Sequence, residues 1–128
     1  MLLNGGSFNG ARLLQPATVA QMMVNQIGDL GVHEMRSAQP AYSNSFDQFP
    51  GQPHQWGLSF DINMQPGPNG RAAGSISWAG LLNCCFWLDP VTKVTGAFFT
   101  QILPFYDDRV VALYGAFEHG LYRGLGRG

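Results

Sequence analysis

The sequence predicts an α+β fold: one antiparallel β-sheet of about four strands with a C-terminal helix packed on it. Three patterns carry that reading. Trp56, Leu58, Phe60 and Ile62 alternate with Gly57, Ser59, Asp61 and Asn63, the period of a half-buried strand. Asp89-Pro90-Val91-Thr92-Lys93 is a hairpin turn between two apolar segments. Near the end, Val110, Tyr114, Phe117 and Leu121 recur at spacings of 4, 3 and 4, which places them on one helical face.

The elements follow in order within a single incomplete domain over 1–128. A helical segment occupies 1–28: Met1 to Leu3 read as the last turn of a helix closed by Gly5-Gly6, and Asn9-Gly10 is a turn. Pro16 suits the first position of a short helix carried on by Val19, Met22, Met23 and Gln26 to about Gly28, although Gln15 is a poor cap. Residues 29–55 read as a long loop, with Pro40, Pro50 and Pro53 among polar residues and isolated aromatics at Tyr42, Phe46 and Phe49. Pro66-Gly67-Pro68-Asn69-Gly70 is a tighter loop. Within 56–101 the strands are expected near 55–63, 73–79, 83–89 and 94–101, the last two apolar enough to imply cover on both faces. Asp107 or Asp108 then caps a helix over 107–122.

Composition excludes several functions. Apolar residues make up 45% and charged residues 12%, so the chain can bury much surface but has little charge to keep a monomer soluble. A formal net charge of -1 with no Lys/Arg run argues against nucleic acid and against a basic membrane patch. The run Cys84-Cys85-Phe86-Trp87-Leu88 is too short to span a bilayer, and the start lacks the basic region of a signal peptide. Localisation stays open. Cys84 and Cys85 are neighbours in a strand, point to opposite faces and read as two buried thiols, not as a disulfide.

No self-contained catalytic motif is present: no S-x-x-K, no G-x-S-x-G, no H-E-x-x-H and no P-loop. His33, His54 and His119 are scattered, so no metal site and no cofactor are expected. Tyr42-Ser43-Asn44 matches the Y-x-N pattern of penicillin-recognising enzymes, and Lys93-Val94-Thr95-Gly96 is a K-T-G triad with one residue inserted. Both read as chance matches, the first in a polar loop and the second in a hairpin.

From Gly74 the chain runs Gly74-Ser75-Ile76-Ser77-Trp78-Ala79-Gly80-Leu81-Leu82-Asn83-Cys84-Cys85-Phe86-Trp87-Leu88-Asp89-Pro90. This strand–turn–strand resembles the third box of the class C β-lactamase-like serine hydrolases, in the carboxylesterase branch with its penicillin-binding-protein-like fold. There W-G-G or a similar triplet replaces K-T-G. The next strand, its hairpin, a strand ending like Phe99-Thr100-Gln101 and a closing helix recur here in the family's order.

The resemblance implies a partial β-lactamase/transpeptidase-like fold from the C-terminal part of such an enzyme. It makes Trp78, Ala79 and Gly80 a wall of the substrate cleft, and the Leu81 backbone N–H one of two oxyanion-hole donors. Trp78 in place of a lysine favours neutral esters; Ala79 departs from the usual middle residue. The family's nucleophile lies upstream of such a segment, so no catalytic residue is assigned here. The expectation is a fragment of a serine esterase, inactive alone, whose partners are the missing N-terminal part of the parent hydrolase and further copies of itself as a homo-oligomer. The alternative is a small non-catalytic binding or assembly module built on the same sheet.

Overall fold

The computed structural model describes residues 1–126. A 3-10 turn at Leu2–Asn4 ends at Gly5 in the left-handed region (φ +59). Asn9 and Gly10 (φ +47 and +80) join β1 (Ser7–Phe8) to β2 (Ala11–Arg12), the two-residue turn whose twist matches its strands. Helix α1 covers Pro16–Met22 with proline in its first turn and no side-chain cap from Gln15. It stops short of the expected end near Gly28. Asn25 takes over there, accepting from the Ile27 N–H (3.0 Å) and donating to the Gly28 carbonyl (2.7 Å), a local alternative to helix.

The main sheet has five antiparallel strands in sequence order: β3 (His54–Trp56), β4 (Asp61–Asn63), β5 (Ile76–Gly80), β6 (Cys84–Asp89) and β7 (Val94–Phe98). The single strand expected over 55–63 is a hairpin, with His54 opposite Asn63. The Gly57 N–H donates to the Phe60 carbonyl (2.8 Å), and Ser59 adopts φ +77. Leu58, which strict alternation would bury, is 45% exposed at the bend. Alternation is indifferent to a reversal that keeps Phe60 and Ile62 inward, so it could not mark the turn. The next strand begins at Ile76, not near 73, because the chain turns at Gly74 (φ +81). The last ends at Phe98, leaving Phe99 78% exposed.

Helix α2 spans Asp108–Gly124 and is capped by Asp107, whose carboxylate accepts from the Arg109 and Val110 N–H groups. Its buried positions are Val110, Glu118 and Tyr122. The inward stripe is therefore rotated from the predicted one, and Phe117 lies at its margin, 42% exposed. Trp87 is fully buried beneath the helix, edge-on to Tyr114 and Phe117 (centroids 5.7 and 5.8 Å). Its cross-strand partner is Gly96, where any Cβ would overlap the indole ring.

Neighbouring strand residues face the other way. On that side Phe60, Ile62 and Ile76 form a cluster packed by Leu2, Met22, Met23, Phe86 and Leu88. Both faces of the sheet are thus covered within the chain.

Asp89 ties sheet, turn and helix together. Its fully buried carboxylate accepts from the N–H groups of Ala72 (2.9 Å), Val91 (2.9 Å) and Thr92 (3.0 Å) and from the Tyr122 hydroxyl (3.0 Å). The Tyr122 oxygen in turn accepts from Trp87 Nε1 (3.1 Å). Burial alone would raise the Asp89 pKa, but the hydrogen bonds from Ala72, Thr92 and Tyr122 outweigh it and hold it below the usual value.

Two measurements check this packing. Gly96→Val forces a side chain into the Trp87 ring and should lower stability by about 1–3 kcal/mol in urea unfolding. A carboxylate with a depressed folded-state pKa stabilises fully above its unfolded value of about 3.9, and that contribution is lost as pH falls through the folded value. The urea midpoint should therefore drop on acidification below about pH 4, and Asp89→Asn should flatten that dependence while lowering the midpoint at neutral pH.

Candidate functional site

Strand β4 pairs with β5 only at Asp61–Ser77 and Ile62–Ile76. Trp78, Ala79 and Gly80 therefore have β6 on one side and no strand on the other among the described residues. At the end of this open half-edge the chain turns through Leu81, which is 56% exposed. The Leu81 N–H meets no protein acceptor among the described residues.

Asn83 fixes the turn. It adopts φ +57, donates to the Ile102 and Pro104 carbonyls (both 2.9 Å) and accepts from the Tyr106 N–H (2.6 Å). The segment before α2 is thereby pinned to the tip of the β5–β6 hairpin.

Beside the half-edge is a cavity of about 250 Å³, with Trp78 and Ala79 in its wall, closed by Phe46, Phe49, Tyr106 and Val111. Trp78 is edge-on to Trp56 (4.5 Å) and to Phe46 (5.9 Å), and Phe46 continues the aromatic wall to Tyr106 (5.0 Å). Leu81 lies in an adjoining, more open depression that shares Phe46 and Phe105 with the cavity. Gly80, the exposed end of β5, lines neither. The structure thus brings Trp78 and Ala79 to one cavity and sets Leu81 next to it.

The two motif look-alikes part company. Tyr42, Ser43 and Asn44 line the same depression as Leu81, but Ser43 Oγ donates to the Asn44 carbonyl (2.9 Å) and the Asn44 amide to the Tyr106 carbonyl (3.1 Å). Lys93 lies in the β6–β7 turn, at the opposite end of β6 from Gly80.

Sequence reasoning missed the polar network under the cavity. Arg71 and Glu118, both essentially unexposed, form an ion pair (2.5 Å). Arg71 also donates to the Tyr114 hydroxyl (3.1 Å), and Asn69 to Glu118 (3.2 Å). With its amide nitrogen toward Ser77 (3.1 Å) and Asp61 (3.2 Å), Gln48 accepts from Arg71 through its oxygen (3.0 Å). Asp61 closes the chain on His54 Nδ1 (2.8 Å). The ion pair joins residues 47 positions apart, which no local motif can announce.

Burial alone would lower the Arg71 pKa, but Glu118 and Tyr114 raise it further, so Arg71 stays charged. Glu118 reaches the cavity wall but is committed to Arg71 and Asn69. Cys85, also in the wall, is pushed up to about 11 by burial, with Cys84 adding to the shift, so at neutral pH it is a thiol and a poor nucleophile. Tyr114 is raised by burial to about 12. Among the described residues the cavity wall accordingly offers apolar surface, and its one carboxylate, Glu118, is held by Arg71 and Asn69. Among the described residues no group of three or more His, Cys, Asp or Glu side chains is arranged to hold a metal ion.

No family model matches the chain. It is 28% identical over 110 residues to the acyltransferase calJ of Penicillium decumbens, covering 84% of this chain and 26% of that protein. Among solved structures, the unliganded simvastatin synthase (LovD) of Aspergillus terreus superposes with a TM-score of 0.75 at 25% identity, over 99% of this chain and 32% of that one. A penicillin-binding protein homologue from Caulobacter crescentus matches with a TM-score of 0.53 at 22% identity, over 92% and 29% respectively, a likeness of fold alone. The chain spans about a quarter of its curated relative and about a third of these structures. Its fold is that of part of a β-lactamase-like serine hydrolase.

Two outcomes test the site's chemistry. Cys85 should resist iodoacetamide at pH 8 in the folded chain and react once the chain is unfolded, as followed by mass spectrometry. Arg71→Met leaves Glu118 charged and buried and should cost about 3–5 kcal/mol, whereas Arg71→Met with Glu118→Leu should recover much of that loss.

Proposed function

We propose that this chain provides the sheet-side wall and one oxyanion-hole donor of a serine acyl-transfer site, and does no acyl transfer by itself. The observation that carries this reading is the unpaired Leu81 N–H at the end of the open half of β5, beside an apolar cavity. A backbone N–H held by its fold meets the charge that develops on a tetrahedral intermediate and is worth about 3–4 kcal/mol. The curated relative is described as an acyltransferase, which agrees with such a role.

Acyl transfer also needs a serine activated by a base. Ser75 and Ser77 in and beside β5 spend their hydroxyls on Ala72 and Gln48, and no S-x-x-K occurs in the sequence. The nucleophile then comes from another segment, the N-terminal part of a parent esterase or acyltransferase. Trp78 in place of a lysine, with the aromatic wall of Phe46 and Tyr106 beside it and the Glu118 charge committed to Arg71, favours neutral esters over carboxylated β-lactams.

A second reading, a non-catalytic binding module, draws on one feature: each polar side chain of the cavity wall named above, Gln48, Asn69, Asn83 and Glu118, already has a protein partner. A largely apolar cavity whose polar groups are already paired accepts a small hydrocarbon group without any chemistry.

Purified chain should neither hydrolyse p-nitrophenyl esters above buffer nor be labelled stoichiometrically by a fluorophosphonate; labelling at any serine here would refute the reading. A chimera in which this chain replaces the matched third of the Aspergillus terreus enzyme supplies the positive arm. In it Leu81→Pro, which deletes the donor, should lower kcat by about 10²–10³-fold, and Leu81→Ala, which keeps it, should not. Equal activity in both variants would remove Leu81 from the site.

A further inference from the structure

Gly115 stands in the interior of α2, where only proline is a poorer helix former than glycine. A positive φ or a neighbour too close for a side chain normally explains a glycine at such a place, and neither holds here. Gly115 keeps helical backbone, and the nearest atom that a Cβ would meet, Asn69 Nδ2, is 3.4 Å away, an ordinary contact. Gly96 is the contrast, since there the Trp87 ring leaves no room.

What Gly115 lines is the cavity beside Trp78, a wall it shares with Val111 one turn earlier on α2, Ala79 on β5 and Phe49 in the loop before β3. Every residue lining that cavity lies between Phe46 and Glu118, so the walls come from within this chain. Space is left on the helix side because position 115 has no side chain, and on the sheet side because Ala79 has a small one.

We propose that this cavity receives the acyl chain of a neutral ester, and that Gly115 sets how long a chain it accepts. The assignment to the acyl side rests on the reading of Leu81 as donor to the ester carbonyl. Two spaces adjoin that position, the cavity and the more open depression that holds Leu81 itself. The alcohol has to depart and suits the open space, whereas the acyl group stays on the nucleophile and suits the enclosed one. Gln48, Asn69, Asn83 and Glu118 in the wall are already paired, so they select neither a charge nor a hydroxyl. Size follows from volume. A cavity of about 150 Å³ takes benzene. One of about 250 Å³ admits a somewhat longer acyl chain and excludes a fatty-acyl chain.

The first arm of the test needs no catalysis: methyl butanoate, methyl hexanoate and methyl decanoate are titrated into the purified chain, with amide shifts followed by NMR. Methyl hexanoate should bind saturably and move the amides of Ala79, Val111 and Gly115. Methyl decanoate should bind no more tightly, although it is more apolar. Gly115→Leu puts a side chain into the cavity and should weaken hexanoate binding at least about tenfold. Its Tm should stay at or above the wild-type value, because leucine favours the helix. If that variant does not fold, Val111→Phe adds bulk to the same wall and should have the same effect on binding. The proposal is overturned if the folded chain binds none of the esters saturably, or if the shifts map away from the cavity. Unchanged hexanoate affinity in folded Gly115→Leu or Val111→Phe overturns it too.

The second arm uses the chimera with the Aspergillus terreus enzyme and p-nitrophenyl esters, whose leaving group is constant. Gly115→Leu should move the kcat/KM optimum to shorter acyl chains, whereas Leu81→Pro should lower turnover of all chain lengths alike. A Leu81 effect without a Gly115 shift overturns the pocket and keeps the donor. A Gly115 shift without a Leu81 effect keeps the pocket and removes the donor. Should the chimera not turn over, the binding arm decides by itself.

Discussion

The Trp87 indole lies between the sheet and α2 with no exposure to water, and its placement governs most of what surrounds it. A ring of that size fits between sheet and helix only because Gly96 opposite it has no side chain. Its N–H cannot be left unpaired at that depth, and the chain from Trp87 through Tyr122 to Asp89 provides the acceptor. Asp89 simultaneously organises the β6–β7 turn and captures the Ala72 N–H before β5. One aromatic contact thus sets the register of two hairpins, the seat of the helix and the approach of the loop over 64–75.

A second set of interactions depends on that seat. With α2 fixed, Glu118 meets Arg71, and Arg71 lies against the faces of Phe49 and Trp87 (5.1 and 5.3 Å). A buried ion pair is a poor source of net stability, because desolvating two charges cancels most of their attraction. Its effect here is positional. It allows one arrangement of the loop carrying Gln48 and Phe49 against the helix, and that arrangement is the wall of the cavity beside Trp78.

The functional geometry follows from where pairing stops. β4 has three residues and leaves β5 after Ser77, so the second half of β5 keeps an open edge beside the aromatic wall. Closing the whole edge would stabilise the sheet; under the proposed function, the open half is the room a substrate carbonyl needs near the β5–β6 turn. The Asn83 side chain holds that turn through four contacts to 102–107, which is the rigidity a preorganised donor requires. Arg71 and Glu118, the buried charged pair at the cavity, are spent on each other.

Local physics made much of this legible in the residues themselves. Asn9-Gly10, Pro16, Asp107 and the Asp89-Pro90 turn each act on the backbone within a few positions, Pro16 through its fixed φ and the aspartates through hydrogen bonds, and all formed where the sequence places them. The apolar strands and the box at Trp78-Ala79-Gly80 likewise led to the α+β sheet and its β-lactamase-like character. Tertiary structure decided the rest, for reasons that range along the chain cannot carry. Alternation over 55–63 fitted a straight strand and a hairpin equally well, and packing of Leu2, Met22 and Met23 on Phe60 and Ile62 selected the hairpin. Glu118 reads as a solvated helix residue until Arg71, distant in sequence, neutralises it and draws it inward. The cavity exists only once that pair, Gln48 and Trp78 have been brought together, because its walls come from segments that share no local order until the sheet and α2 have packed.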